Sequence, residues 1–282
     1  MRLVAVSQHG AGRFLDAVPS RAPFRMHTWC LRVAVQRRLG LPLLAAAAAA
    51  GTLFSRGGKT FDAYGDVAVN DGAAGHATRH WLVLRAVYDA LRRAWGGRVA
   101  YEPADYHWYS GHRPDLTLLA EELEAMDLKV FDPVGSDAGE VAERGAFVGF
   151  GNTRPRGREK VHGREARGVE GTSFDPRTGT GEVAALAGDY AGARARGVGV
   201  RLLLVETFGG LGDELVELLK AAADVREDTL NAAEYDETTW SARSWTVFVE
   251  QRISIATQRA VAKEIAQALG LAQAADPRGE CC

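Results

Sequence analysis

The sequence predicts a mixed α/β domain, a sheet flanked by helices, and three observations indicate it. Apolar residues recur every three or four positions over residues 79–95, which is the spacing of one buried helix face. Residues 198–206 form an almost continuous apolar run, as buried strands do. Segments with helical and strand patterns follow one another in the order helix, strand, strand pair, helix, strand and helices, which is typical of mixed α/β architecture.

Residues 1–75 are expected to form an irregular linker region in front of the folded core. A helix is predicted over residues 27–39 and ends before Pro42, because a proline disfavours helical geometry in the residue before it. Residues 45–50 are a low-complexity alanine run. Residues 51–75 are rich in glycine and polar residues, which favours irregular structure.

The folded core is predicted over residues 76–272. Its first helix, residues 79–95, stops at a glycine pair, which is a common helix end. The remaining elements are predicted as strands over 98–102, 115–119, 128–134 and 198–206, and as helices over 181–196, 213–223 and 241–269. The second and third of these strands form a candidate hairpin. Residues 273–282 are expected to be a flexible tail.

Composition excludes several classes of protein. Hydrophobic residues make up 46% of the 282 residues and charged residues 25%, so the chain is neither collagen-like nor disordered in composition. The longest apolar run, residues 39–51, falls short of the ~18 residues that a membrane span needs. The start of the chain shows no secretory signal pattern. The three cysteines, Cys30, Cys281 and Cys282, do not form a disulfide framework.

Charge is balanced over the whole chain but concentrated in one segment. The formal net charge is −2, whereas residues 144–168 carry seven basic and two acidic residues in a stretch rich in glycine and proline. This basic loop has two interpretations. It could follow a phosphate backbone, as basic segments of nucleic-acid-binding proteins do, or it could be a solvated surface loop. Charge alone slightly favours the surface loop.

Two aspartates are the candidate catalytic and metal-binding residues. Asp115 begins the first strand of the predicted hairpin, and Asp132 lies in the second. Because paired strands lie about 4.8 Å apart, the two carboxylates are expected to share a divalent cation. Mg²⁺ is held in this way, by one or two carboxylates, waters and substrate phosphates, and supports phosphodiester hydrolysis. Glu102, on the preceding strand, is a candidate third acidic residue. The alternative is that both aspartates form turns.

The sequence Arg113-Pro114-Asp115 followed by Asp132 resembles the restriction-like endonuclease of the PD-(D/E)xK type. That endonuclease follows the reverse transcriptase in some non-LTR retrotransposons. Further segments resemble the same proteins in the same order, and together they cover almost the whole chain. These segments are residues 11–19, 38–42, 62–66, 79–80, 205–210 and 239–244.

The resemblance implies a restriction-endonuclease-like core that nicks target DNA with Mg²⁺ or Mn²⁺, so that reverse transcription can be primed. Asp115 and Asp132 would bind the metal, and Glu102 would assist catalysis. DNA contacts would come from Arg113 and from the basic loop, through Arg154, Arg156, Arg158 and Lys160. DNA is the implied partner, the element's RNA is a further candidate, and the implied location is the nucleus. Neither a membrane nor a protein partner is implied.

The chain departs from the family pattern in three ways. The family usually has a CCHC-like zinc knuckle before the nuclease, and residues 1–75 would contain a degenerate form of it. Val67 stands at the position of its histidine and no cysteine lies between Cys30 and Cys281, so no zinc is expected. With Asp132 as the second carboxylate, the lysine position of the D-x-K pattern is Val134, and Lys129 would lie on the opposite strand face. No polymerase motif is present. The alternative function is therefore a catalytically inactive remnant that at most binds nucleic acid.

Overall fold

One mixed sheet lies at the centre of the structure, a computed structural model that describes residues 2–54, 58–70, 75–106, 113–134, 193, 196–238 and 241–271. The described strands are β1 (Val99–Tyr101), β2 (Leu116–Leu119), β3 (Leu123–Phe131) and β4 (Gly199–Glu206). They lie in the order β1-β2-β3-β4. The first two pairings are antiparallel, and β4 runs parallel to β3. The predicted mixed α/β class is confirmed.

Nine α-helices surround this sheet in the described residues. They are α1 (Arg2–Val6), α2 (Arg13–Asp16), α3 (Thr28–Leu39), α4 (Leu44–Ala49), α5 (Asp66–Asn70), α6 (His76–Trp95), α7 (Asp213–Val225), α8 (Ala232–Thr238) and α9 (Trp245–Ala268). The helices predicted over 27–39, 79–95, 213–223 and 241–269 correspond to α3, α6, α7 and α9. The predicted helix over 181–196, the basic loop and the tail over 273–282 lie wholly or almost wholly outside the described residues.

The main core lies between the sheet and the long helices α6 and α9. Leu116 and Met126 from the hairpin are fully buried with Val83 and Leu84 from α6. Phe248 from α9 belongs to the same cluster. Helix α6 buries a continuous apolar stripe because its apolar residues recur at helical spacing. None of the described helices combines the length and the apolar character that crossing a membrane would require.

The first 75 residues differ from the irregular linker expected there. They contain α1–α5, and these helices are packed into the body of the protein. Cys30 and Val33 of α3 are buried together with Val261 and Ile265 of α9. Phe24 packs on Phe248 with ring centroids 5.8 Å apart. The N-terminal helices therefore share a core with the C-terminal helix, because their few apolar residues find partners that are distant in sequence.

The register of the β2–β3 hairpin differs from the predicted one. Leu116 pairs with Met126, which places Asp115 opposite Asp127. Strand β3 ends at Phe131, so Asp132 lies beyond the strand. At about 3.3 Å a residue, Asp132 is roughly 16 Å along the chain from Asp127. Asp115 and Asp132 are therefore not neighbours across the hairpin, contrary to the prediction.

Candidate active site

Asp115, Asp127 and Lys129 meet at the start of the hairpin, and together they form the candidate site. Residues two apart on a strand point to the same face, so Asp127 and Lys129 lie side by side on β3. The Nζ atom of Lys129 is 2.8 Å from one carboxylate oxygen of Asp127 and 3.0 Å from the other. The Asp115 and Asp127 side chains share a hydrogen bond. Both carboxyl groups are largely shielded from solvent.

Asp115 is held in place by groups from three elements. The backbone N–H of Leu128 in β3 donates to its Oδ2 atom at 2.6 Å. The Nε2 atom of His80, from α6, lies 3.1 Å from its Oδ1 atom. Its backbone oxygen accepts a hydrogen bond from the N–H of Glu102, just after β1, at 2.9 Å. The first carboxylate therefore has a fixed orientation.

The electrostatics of the pair favour one shared proton. Burial, together with the neighbouring Asp115, raises the pKa of Asp127 to about 7, against the opposing effect of Lys129. Burial also acts to raise the pKa of Asp115, but the hydrogen bond and charge of His80, with hydrogen bonds from Asp127 and Leu128, outweigh it and lower the pKa. Ionising both of two adjacent carboxyl groups is unfavourable, because their negative charges repel each other. The pair is thus one ionised group beside one readily protonated group.

These residues fit the Mg²⁺ or Mn²⁺ that the resemblance implies. Hard divalent cations prefer carboxylate oxygens, and Mg²⁺ needs only one or two of them, with waters and substrate phosphates as its other ligands. A cation bound there would replace the proton that Asp115 and Asp127 share. Among the described residues, no group of three or more His, Cys, Asp or Glu side chains is arranged to hold a metal. Asp115 and Asp127 would therefore be the two carboxylate ligands of such a cation, with waters and substrate phosphates as the others.

The contacts of Asp115 match the P-D…D-x-K pattern when Asp127, and not Asp132, is its second aspartate. Pro114-Asp115 supplies the first part, and Asp127-Leu128-Lys129 supplies the second. The sequence predicts Asp132 as the second carboxylate, which leaves Val134 at the lysine position. With Asp127 in that role the lysine is present, and it lies on the same face as its carboxylate. The tripeptide over 127–129 was the signal that could have identified the site.

Asp132 belongs to a buried ion-pair network. The Nη2 atom of Arg37, a wholly buried residue of α3, donates to Asp132 at 2.8 Å and to Asp66 at 3.0 Å. Arg2 donates to the other Asp66 oxygen at 2.7 Å. Burial lowers the pKa of Arg37, but these two carboxylates more than offset that effect, so the pKa is raised. Through its ion pair with Arg37 of α3, Asp132 connects the end of β3 to the N-terminal helices. It does not face Asp115.

The other predicted site residues lie at the margin or outside the described residues. Glu102 is exposed and adopts a left-handed backbone with φ of 40°. Its side chain hydrogen-bonds to Tyr101, so it does not join the carboxylate pair. Arg113 is exposed beside Asp115 and donates to the Glu102 backbone oxygen at 3.3 Å. The predicted DNA contacts Arg154, Arg156, Arg158 and Lys160 lie outside the described residues.

Residues of the segments that carry the family resemblance make hydrogen bonds to other parts of the fold. Arg38 donates to the backbone oxygens of Ala11 at 2.9 Å and Val6 at 2.8 Å. Asp62 accepts hydrogen bonds from the backbone N–H groups at the start of α5, at 2.6 Å from Val67. Arg79 is buried and donates to Glu264 of α9 at 2.6 Å. These hydrogen bonds hold the motif residues Arg38, Asp62 and Arg79 within the folded body of the protein.

Comparison of the chain with protein-family models, with curated proteins and with solved structures finds no match. The functional conclusion therefore depends on the arrangement of Asp115, Asp127 and Lys129, together with the sequence resemblance described above.

Proposed function

We propose that this chain contains a metal-dependent DNA endonuclease domain with a restriction-endonuclease-like core. It would hydrolyse phosphodiester bonds and so nick a DNA target. The observation that carries the proposal is the meeting of Asp115, Asp127 and Lys129 in the pattern P-D…D-x-K. The mixed sheet with α6 against one face supplies the scaffold that holds them.

Each of the three side chains has a role in this reaction. Asp115 and Asp127 would bind Mg²⁺ or Mn²⁺ through their carboxylate oxygens. When bound, the cation would supply Lewis-acid polarisation of the scissile phosphate and easier deprotonation of the attacking water. The Lys129 ammonium has three N–H donors, so its contacts with the two Asp127 oxygens leave one for a phosphate oxygen. It would stabilise the negative charge that develops during cleavage.

The substrate and the biological setting come from the resemblance. It supports DNA as the substrate, a non-LTR retrotransposon as the origin and the nucleus as the location. The element's RNA would be a further partner. Arg113, exposed beside Asp115, is suitably placed among the described residues to contact a phosphate near the cleaved bond, and the basic loop over 144–168 would extend the DNA contact.

The alternative is a catalytically inactive remnant that keeps the fold and at most binds nucleic acid. Its main support was the valine at position 134 in place of a lysine. Lys129 supplies that lysine, 2.8 Å from the second carboxylate. The missing knuckle cysteines concern zinc binding and leave the hairpin site unaffected. The geometry therefore favours the active nuclease.

Nicking of supercoiled plasmid in Mg²⁺ or Mn²⁺ tests the proposal. Wild type should nick, and Asp115→Asn and Asp127→Asn should abolish the activity, since each removes a cation ligand. Lys129→Ala should lower the rate about 100- to 1,000-fold, as loss of one charge-stabilising donor does. Asp105→Asn is the control, because Asp105 is exposed and close in sequence.

The outcomes separate the two functions. EDTA should stop wild-type nicking, and the Asp105→Asn protein should match wild type. Nicking that survives both Asp115→Asn and Asp127→Asn would come from a contaminant or another site and would refute the proposal. A folded wild-type protein that binds DNA without nicking it in either metal would establish the inactive remnant.

A further inference from the structure

His80 contacts the candidate cation site from outside the strands that form it. We infer that His80 is a positioning residue for the cation, acting through its hydrogen bond to Asp115. This inference rests on the proposed function, because it assigns His80 a role in the same site. The contact joins α6 to the hairpin, with 3.1 Å between Nε2 and the Asp115 Oδ1 atom.

The fold fixes His80 where it can act. Its neighbour Arg79 is buried and donates to Glu264, to the Val69 backbone oxygen at 3.0 Å and to the Val130 backbone oxygen at 3.3 Å. These contacts set the rotation of α6. The helix begins after Gly75, whose φ is +78° and where a Cβ would meet Gln267 at 2.8 Å, so its start is packed closely on α9. His80 therefore approaches Asp115 from a rigid element.

The hydrogen bonds to Asp115 show how His80 acts. The Leu128 N–H binds one oxygen of Asp115 and His80 binds the other, so the carboxylate cannot rotate freely. Each carboxylate oxygen has two lone pairs, which leaves acceptor capacity on both oxygens for a cation. Because an ionised carboxylate only accepts, Nε2 carries the hydrogen and is not itself free to bind the metal. His80 therefore orients a ligand rather than being one.

Loss of such a partner weakens metal binding without removing a ligand. Hydrogen bonds to ligating groups typically contribute 10- to 100-fold in metal affinity. In a His80→Ala protein, the Leu128 N–H and the hydrogen bond shared with Asp127 would still hold the Asp115 side chain, but a cation displaces the shared proton, so binding it would include the cost of ordering a carboxylate held by Leu128 alone. A glutamine at this position can place an amide N–H close to where Nε2 lies, so His80→Gln should restore the affinity.

The test is calorimetric titration of the metal-free full chain with Mn²⁺ and, separately, with Mg²⁺, in the absence of DNA. His80→Ala should raise the Kd for both metals about 10- to 100-fold, and His80→Gln should stay within about 3-fold of wild type. His27→Ala is the matched control, since it removes an exposed histidine that caps α3. Thermal unfolding of each metal-free protein shows that it is folded.

Three results would overturn the inference. Unchanged affinity in His80→Ala would show that the contact is incidental. A glutamine variant as weak as the alanine variant would exclude a hydrogen-bonding role. A loss confined to Mn²⁺ would show that the imidazole itself binds the metal, because Mg²⁺ takes oxygen ligands.

Titration of Asp115→Asn in parallel distinguishes failure of this inference from failure of the proposed function. If wild type binds Mn²⁺ and Asp115→Asn does not, the carboxylate site exists and the His80 variants test the inference alone. If wild type and Asp115→Asn bind alike, or neither binds, the carboxylate site is refuted and the role of His80 is refuted with it.

Discussion

Replacing Asp132 with alanine is expected to destabilise the fold while leaving the cation site intact. The Asp132 side chain has no solvent exposure and accepts a hydrogen bond from buried Arg37 at 2.8 Å. Removing one partner of a buried ion pair costs about 3–5 kcal/mol, because the other charge is left uncompensated. Asp66 lies 3.0 Å from the same Arg37 nitrogen and remains in place. We therefore expect a loss of about 3 kcal/mol, at the low end of that range.

Urea unfolding of the metal-free protein measures this loss. Asp16→Ala is the control, because Asp16 is exposed and its ion pair with Arg13 is long, at 3.8 Å. Its effect should stay within about 0.5 kcal/mol. Under conditions where Asp132→Ala remains folded, it should bind Mn²⁺ as wild type does. Normal stability together with lost Mn²⁺ binding would refute this reasoning and would restore Asp132 as the metal ligand that the sequence analysis predicted.

Two further predictions concern Glu206 and the lysine position. Burial, with the charge of Asp132, raises the pKa of Glu206 to about 7. Between the ordinary glutamate pKa and about 7, the folded state therefore binds more protons than the unfolded state. The free energy of unfolding consequently falls as the pH rises through that range. Glu206→Gln removes this contribution. Urea unfolding at acid and at mildly alkaline pH should therefore show the free energy of unfolding of the variant rising relative to that of wild type as the pH rises. Parallel pH profiles for the two proteins would contradict this prediction. Adding Val134→Lys to Lys129→Ala should not restore plasmid nicking, and recovery of the activity would show that position 134 is the true lysine position.

Local patterns predicted the elements whose burial follows one regular period. The apolar spacing over 79–95 predicted α6, and the apolar run over 198–206 predicted β4 at Gly199–Glu206. Among the N-terminal helices, α3 was predicted over 27–39, but its burial in the core was not, because its partners are distant in sequence. Cys30 and Val33 are buried against Val261 and Ile265, more than two hundred positions away, and no pattern within residues 1–75 shows this.

The sequence paired Asp115 with Asp132 instead of Asp127 because the acidic residues of the hairpin looked like a loop. Residues 120–127 were predicted to connect two strands, whereas β3 already begins at Leu123. Glu124 is stabilised within the strand by Arg201 of β4, with nitrogen–oxygen distances of 2.6 and 2.9 Å. Asp127 is stabilised by Lys129 and by its hydrogen bond to Asp115. Partners from other strands therefore decide the register, and the register decides which carboxylate faces Asp115.

The measurement that tests the central claim most directly is a crystal structure of the protein soaked in Mn²⁺, with anomalous scattering used to locate the ion. We predict an anomalous peak between the carboxylates of Asp115 and Asp127, within coordinating distance of both, and no such peak in crystals of Asp127→Asn. A peak at Asp132 instead, or no peak at the hairpin in crystals saturated with Mn²⁺, would contradict the account.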